Sequence, residues 1–72
     1  MSNLIAVYAA IGHGRRGKAY EAGRLIGYSE LRGDHTNYYD AAGRGLGYSE
    51  VQGSETILRE NGGRAVARYR RT

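Results

Sequence analysis

With 72 residues, no cysteine and twelve large aliphatic side chains, the chain holds one domain at most and lies near the size at which a lone hydrophobic core becomes marginal. The missing cysteine excludes a disulfide framework and a thiolate metal site and leaves oligomerisation as the commonest way to complete so small a core. The formal net charge of +4 rests on ten Arg and one Lys, and an arginine bias favours a carboxylate- or phosphate-bearing partner because the guanidinium binds both bidentately.

The opening segment, MSNLIAVYAAIG, has no basic leader before its apolar run. The run is also too short to span a bilayer, so it reads as a first strand over 4–11 rather than a signal peptide. No membrane partner is expected, and the cytoplasm is the favoured location. Gly12-His13-Gly14-Arg15-Arg16-Gly17-Lys18 follows. It matches the GxxxxGK part of a phosphate-binding loop, in which backbone N–H groups cradle phosphate while Lys reaches the terminal oxygens. Ala19 stands where that motif needs a hydroxyl, and no acidic residue closes a later apolar strand. The segment therefore reads as a basic hairpin loop.

Residues 22–33, AGRLIGYSELRG, recur twenty residues later as AGRGLGYSEVQG at 42–53, with eight of the twelve positions identical. The frame runs forward to Gly63, Arg64 and Val66, which align with Gly43, Arg44 and Leu46. It runs backward from Tyr48 and Tyr28 to Tyr8. Residues 1–72 thus form a single small repeat domain with units at about 18–35, 36–55 and 56–72, whose neighbours stack to share a core. Twelve glycines and no proline oppose long helices, since an interior Gly costs about 1 kcal/mol relative to Ala. A helix over Lys18 to Leu31 is the chief competitor.

Strands are expected near 18–20, 24–31, 36–39, 44–51, 56–59 and 64–70, in addition to 4–11. Period-two alternation puts Arg24, Ile26, Tyr28 and Glu30 on one face and Leu25, Gly27, Ser29 and Leu31 on the other. In the second copy Leu46 and Tyr48 oppose Gly45, Gly47 and Ser49. Each unit then has a bulky face and a nearly bald one, and the bald face lets a second layer or another chain approach closely. Glu30 and Glu50 recur beside Arg24 and Arg44, so part of the charge is expected to pair within the array.

Between these strands, Tyr39-Asp40-Ala41-Ala42-Gly43-Arg44 reads as a type I turn opened by Asp and closed by Gly in the left-handed region. Glu21-Ala22-Gly23 and Glu60-Asn61-Gly62-Gly63 occupy equivalent places, and further breaks fall at Gly33-Asp34 and Gly53-Ser54. Hairpins in a meander and coils of a small β-solenoid both fit; the short turns favour hairpins. The string Tyr-Asp-Ala-Ala-Gly-Arg at 39–44, with weaker copies at 20–24 and 60–64, resembles the YD repeat of Rhs and teneurin-type proteins. Those families carry tandem Tyr-Asp-x-x-Gly-Arg units folded as β-hairpins that wind into a large shell. The resemblance implies strand–turn–strand geometry; a chain this short encloses nothing, so the encapsulating role is not implied.

The fold class read from the sequence is all-β: short repeated hairpins of period 20 in a meander or small solenoid-like sheet completed by oligomerisation. His13 and His35, the latter beside Asp34, lack metal-ligand spacing. Ser29 and Ser49 have no positioned base, and their recurrence is explained by identical residues stacking in register. No catalytic residue, metal or cofactor is expected. Tyr8, Tyr28 and Tyr48 are expected to form an aromatic ladder in the core, with Tyr38 and Tyr39 beside it; a base-stacking platform is the alternative. Two functions follow. The first is a non-enzymatic interaction or structural module that self-associates through Gly27, Ser29, Gly45, Gly47, Ser49, Tyr28 and Tyr48, and through open strand edges. In size and repeat style it resembles small accessory proteins of bacteria and phages, including inhibitors that block a larger complex. The second is a nucleic-acid binder holding phosphates with Arg15, Arg16, Lys18, Arg68, Arg70 and Arg71.

Overall fold

The structure is a computed structural model in which residues 3–70 are described. One helix, α1 (Leu4–Ile11), precedes six strands: β1 (Gly17–Glu21), β2 (Arg24–Arg32), β3 (His35–Asp40), β4 (Gly45–Gln52), β5 (Glu55–Glu60) and β6 (Ala65–Arg70). The strands follow one another across a single sheet in the order β1-β2-β3-β4-β5-β6, every neighbour antiparallel. This is an open up-and-down meander, not a solenoid.

The expected first strand is a helix, and the reason is readable in the segment. Leu4, Val7, Tyr8 and Ile11 recur at helical spacing, and they are the α1 side chains that pack in the core. Ala6, Ala9 and Ala10 supply the highest helix propensity between them. The first turn closes through Val7 N–H to the Asn3 carbonyl at 2.9 Å. Gly12 ends the helix at φ 88°, its N–H donating to the Tyr8 carbonyl at 2.7 Å. Eight residues are too few for a stable isolated helix, so α1 depends on what it packs against.

It packs against the bald face. Gly27 on β2 and Gly47 on β4 are both buried. A Cβ at Gly27 would lie 2.7 Å from Val7 Cγ2, and one at Gly47 would lie 2.8 Å from Leu4 Cδ2. Each would also strike a neighbouring strand's backbone, at the Tyr39 and Arg59 carbonyls. The layer admitted by the glycines is the chain's own helix. Beneath it, Leu4, Val7, Ala19, Tyr38 and Leu58 form the core, with Ile26 and Leu46 packed at its margin.

Ile26 and Leu46 reach that core because strict alternation breaks. The register shifts between Ala19–Gly27 and Tyr20–Leu25, between Tyr38–Gly47 and Tyr39–Gly45, and between Leu58–Ala67 and Arg59–Ala65. Ile26, Leu46 and Val66 are therefore the extra residues of three bulges, each re-aiming the strand locally. This corrects the two-face assignment: Ile26 and Leu46 do not lie with Tyr28 and Tyr48. Gly45 is likewise separated from Gly47, and it lies opposite Tyr39 and against the Asn61 side chain.

The turns divide into two kinds. At 40–43 the Asp40 carbonyl accepts from Gly43 N–H at 3.0 Å, and Asp40 Oδ1 accepts from the N–H groups of Ala42 and Arg44, each at 2.9 Å. Glu60 and Gly63 repeat the backbone bond at 2.8 Å. The β1–β2 turn differs from its expected equivalence: it is a two-residue connection with Ala22 at φ 52° and Gly23 at φ 80°, both left-handed as in a type I′ turn. At the opposite end of the sheet, Gly33 and Gly53 open two-residue turns at φ 61° and 62°.

Two substitutions test this packing and turn geometry by thermal denaturation. Gly47→Val should destabilise by about 3 kcal/mol and lower the melting temperature by more than about 10 °C, whereas Gln52→Val, at an exposed site, should stay within about 3 °C. Ala22→Asn places a residue tolerant of the left-handed region before Gly23, and should raise the melting temperature by about 2–6 °C. A fall would show that the turn is not left-handed at 22.

Candidate functional site

The loop between α1 and β1 is bound to the covered face of the sheet one strand at a time. His13 Nδ1 lies 2.8 Å from Ser49 Oγ on β4. Gly14 N–H donates to Thr36 Oγ1 on β3 at 2.9 Å. Ser29 Oγ on β2 donates to the Arg15 carbonyl at 2.7 Å and accepts from Gly17 N–H at 3.2 Å. The Tyr38 hydroxyl donates to the Gly12 carbonyl at 2.8 Å and lies 2.9 Å from Ser49 Oγ. Ser29, Thr36 and Ser49 are all buried, so their hydroxyls require partners, and the loop's polar groups supply them.

These contacts correct the expectation that Ser29 and Ser49 stack in register. Ser29 faces Tyr38 across β3, and Ser49 faces Thr36 and Leu58; both serines anchor the loop. The His13–Ser49 contact places a base beside a hydroxyl, as nucleophilic activation needs. Ser49 is fully buried and its oxygen is shared with Tyr38, so the arrangement clasps the loop instead of presenting a nucleophile. The GxxxxGK string leaves a helix and enters a strand, the reverse of the order in phosphate-binding loops. Two of its N–H groups, those of Gly14 and Gly17, are already taken by Thr36 and Ser29.

Burial pushes the Tyr38 phenol up to about 12, with the neighbouring Tyr8 adding to the shift and hydrogen bonds to Ser49 and Thr36 opposing it. Tyr8 is raised too, by burial and then by Tyr69. The expected ladder of Tyr8, Tyr28 and Tyr48 does not form. Tyr8 sits on α1, edge-on to Tyr38 at 5.7 Å and stacked on Tyr69 at 4.9 Å. Tyr28 lies on the uncovered face, stacked on Tyr39 at 5.0 Å, and Tyr48 meets His35 edge-on at 5.9 Å. Strand order is the cause: β3 stands between β2 and β4, so the two aligned tyrosines each meet a β3 neighbour instead of one another.

The same strand order divides the cations. Arg15 and Arg16 in the loop and Lys18 on β1 lie at one edge of the sheet, and Arg68 and Arg70 on β6 lie at the other. Arg71 falls outside the described residues. Five strand spacings, roughly 24 Å, separate the two groups. Charge pairing also departs from the expected Arg24 and Arg44. Glu30 binds Arg32 at 2.8 Å, Glu50 binds Arg59 at 2.8 Å, and Glu55 lies 3.6 Å from Arg68.

At the β1 edge the structure adds a notch that the sequence reading did not single out. β1 begins at Gly17, opposite Ser29, while β2 continues to Arg32. Residues 30–32 thus project beyond their neighbour on that side. The overhang bounds an open groove of about 550 Å³ lined by Arg16, Lys18, Tyr28, Glu30, Leu31 and Arg32, among others. Its signal was the unequal length of the first two strands. The chain matches no family model, no curated protein and no solved structure.

The Tyr38 clasp has a pH signature. An unfolded tyrosine ionises near pH 10 while the folded chain keeps the Tyr38 proton to about 12. Stability is therefore complete below pH 10 and falls between 10 and 12, by about 1.4 kcal/mol per pH unit. Ultraviolet titration at the phenolate band should show Tyr38 as the latest component of the seven tyrosines, with Tyr8 also delayed. Tyr38→Phe should remove the latest component and lower neutral-pH stability by about 1–3 kcal/mol.

Proposed function

We propose that this chain is a non-enzymatic, self-associating interaction module, with the outward face of α1 as the principal contact between copies. The observation that carries the reading is the composition of α1 against its exposure. LIAVYAAI contains no charged residue, yet Ile5 is 52% exposed, and Ala9, one turn on, is exposed beside Ala10. A helix apolar on every side is ordinarily covered on every side. Ile5 and Ala9 share a face, and the small alanine lets a second α1 approach across a two-fold axis, where one patch serves both subunits.

Gly27 and Gly47 are covered by the chain's own helix and Ser29 and Ser49 by its loop, while Gly45 lies exposed against Asn61, so the proposed contact moves outward to the helix. The outer side of β6, the sheet edge opposite β1, offers further pairing between copies. The resemblance to YD hairpins supports this reading only as geometry. The nucleic-acid alternative is weakened by the division of its candidate cations between two edges, and by the packing of Tyr8, Tyr28, Tyr38, Tyr39 and Tyr69 against one another.

Light scattering after gel filtration tests the proposal. A dimer or larger assembly is expected at tens of micromolar, and Ile5→Lys should yield a monomer that retains a strand-dominated circular dichroism spectrum. A wild-type monomer at high micromolar concentration would refute it.

A further inference from the structure

We propose that the notch at the β1–β2 edge binds an extended acidic peptide segment, which adds as a strand beside the overhang of β2. This goes beyond the α1 contact and rests on different residues. Three observations converge on it. First, residues 30–32 of β2 continue past the last β1 pair; in their register with β3 the Glu30 and Arg32 backbones pair inward, so Leu31 presents its N–H and C=O on the outward side, the start of the template that strand addition uses. Second, the groove there is lined by Arg16, Lys18 and Arg32 against one carboxylate, Glu30, which leaves a net charge of +2. Glu30 is bound to Arg32 at 2.8 Å, and among the described residues Arg16 and Lys18 have no ion-pair partner. Third, Leu31 lies in the same groove and is 46% exposed, an apolar site for one side chain of the incoming strand.

A lone lysine on an edge strand commonly guards against unwanted pairing. Here Lys18 stands with Arg16 and Arg32 around an edge that is left open, so the same charges that repel a basic strand attract an acidic one. They also select against the chain's own β6, which carries Arg68 and Arg70. A peptide fits these features better than a nucleic acid. Tyr28, the aromatic ring in the groove, is stacked on Tyr39 at 5.0 Å and is not a free platform for bases. The other basic group considered, Arg68 and Arg70 on β6, lies at the opposite edge of the sheet. The binding mode is backbone pairing along β2, with Arg16 and Lys18 reading carboxylates that flank an apolar residue.

The experiment uses the full chain and three fluorescent probes. These are an eight-residue peptide alternating Glu with Val or Thr, the same peptide with Pro at two central positions, and a single-stranded oligonucleotide of equal charge. The first probe is expected to bind in the micromolar range. Affinity should fall at least tenfold with R16E/K18E and several-fold with Leu31→Ser, and remain unchanged with R70E at the far edge. The proline peptide, lacking two N–H groups, should bind at least tenfold more weakly. R16E and K18E alter exposed side chains, and a retained circular dichroism spectrum verifies their fold. Equal binding of the proline peptide would overturn strand addition. Tighter binding of the oligonucleotide, no binding of the acidic peptide, or binding indifferent to R16E/K18E would overturn the site.

Discussion

The fold depends on the close contact between α1 and two glycines. Leu4 and Val7 sit against β4 and β2 at distances that exclude a Cβ at Gly47 or Gly27, and this places most of the core under one short helix. Neither layer is self-sufficient. An eight-residue helix is marginal alone, and an antiparallel sheet with glycine on one face has little to bury unless something enters that space. The helix supplies the missing side chains, and the glycines supply the room.

The loop that follows is a consequence of that seating. Once α1 lies across the sheet and ends at Gly12, the chain must return to the β1 edge over a surface already carrying Ser49, Thr36 and Ser29. A loop crossing a sheet face brings buried polar backbone with it, and each such group needs a partner. The three hydroxyls and the Tyr38 phenol provide them in sequence. Among the described residues no buried side-chain nitrogen or oxygen lacks a partner. The loop is therefore fixed in place, and with it the position of Arg15 and Arg16 at the sheet edge. The clasp thus links core packing to the placement of the basic surface.

Much of this was legible in the residues. The alternation in GYSE and the Gly- and Asp-led breaks located six strands to within a residue or two, and the contrast between a bulky face and a bald one signalled a close approach without telling the chain's own helix from a second copy. The first element was misread because an apolar run of that length suits strand or helix alike; its spacing of Leu4, Val7, Tyr8 and Ile11 held the distinction. The bulges at Ile26, Leu46 and Val66 were hidden because a one-residue shift leaves no compositional mark beyond the flanking small residues. The candidate site was the least legible part. Cations close in composition terms, Lys18 and Arg68, lie at opposite edges once a meander order is imposed. The hydroxyls of Ser29 and Ser49 acquire their role only when a distant loop is laid over them.

The most direct test is amide hydrogen exchange on the wild-type chain and Leu4→Ala. If the seating of α1 on the glycine face holds the sheet together, truncating Leu4 should cost about 3 kcal/mol. Protection should then fall by about a hundredfold across β2, β3 and β4 together, with the Gly12–Gly17 loop following. If only the α1 amides exchange faster while the strands keep their wild-type protection, the sheet stands without its helix and the account is wrong.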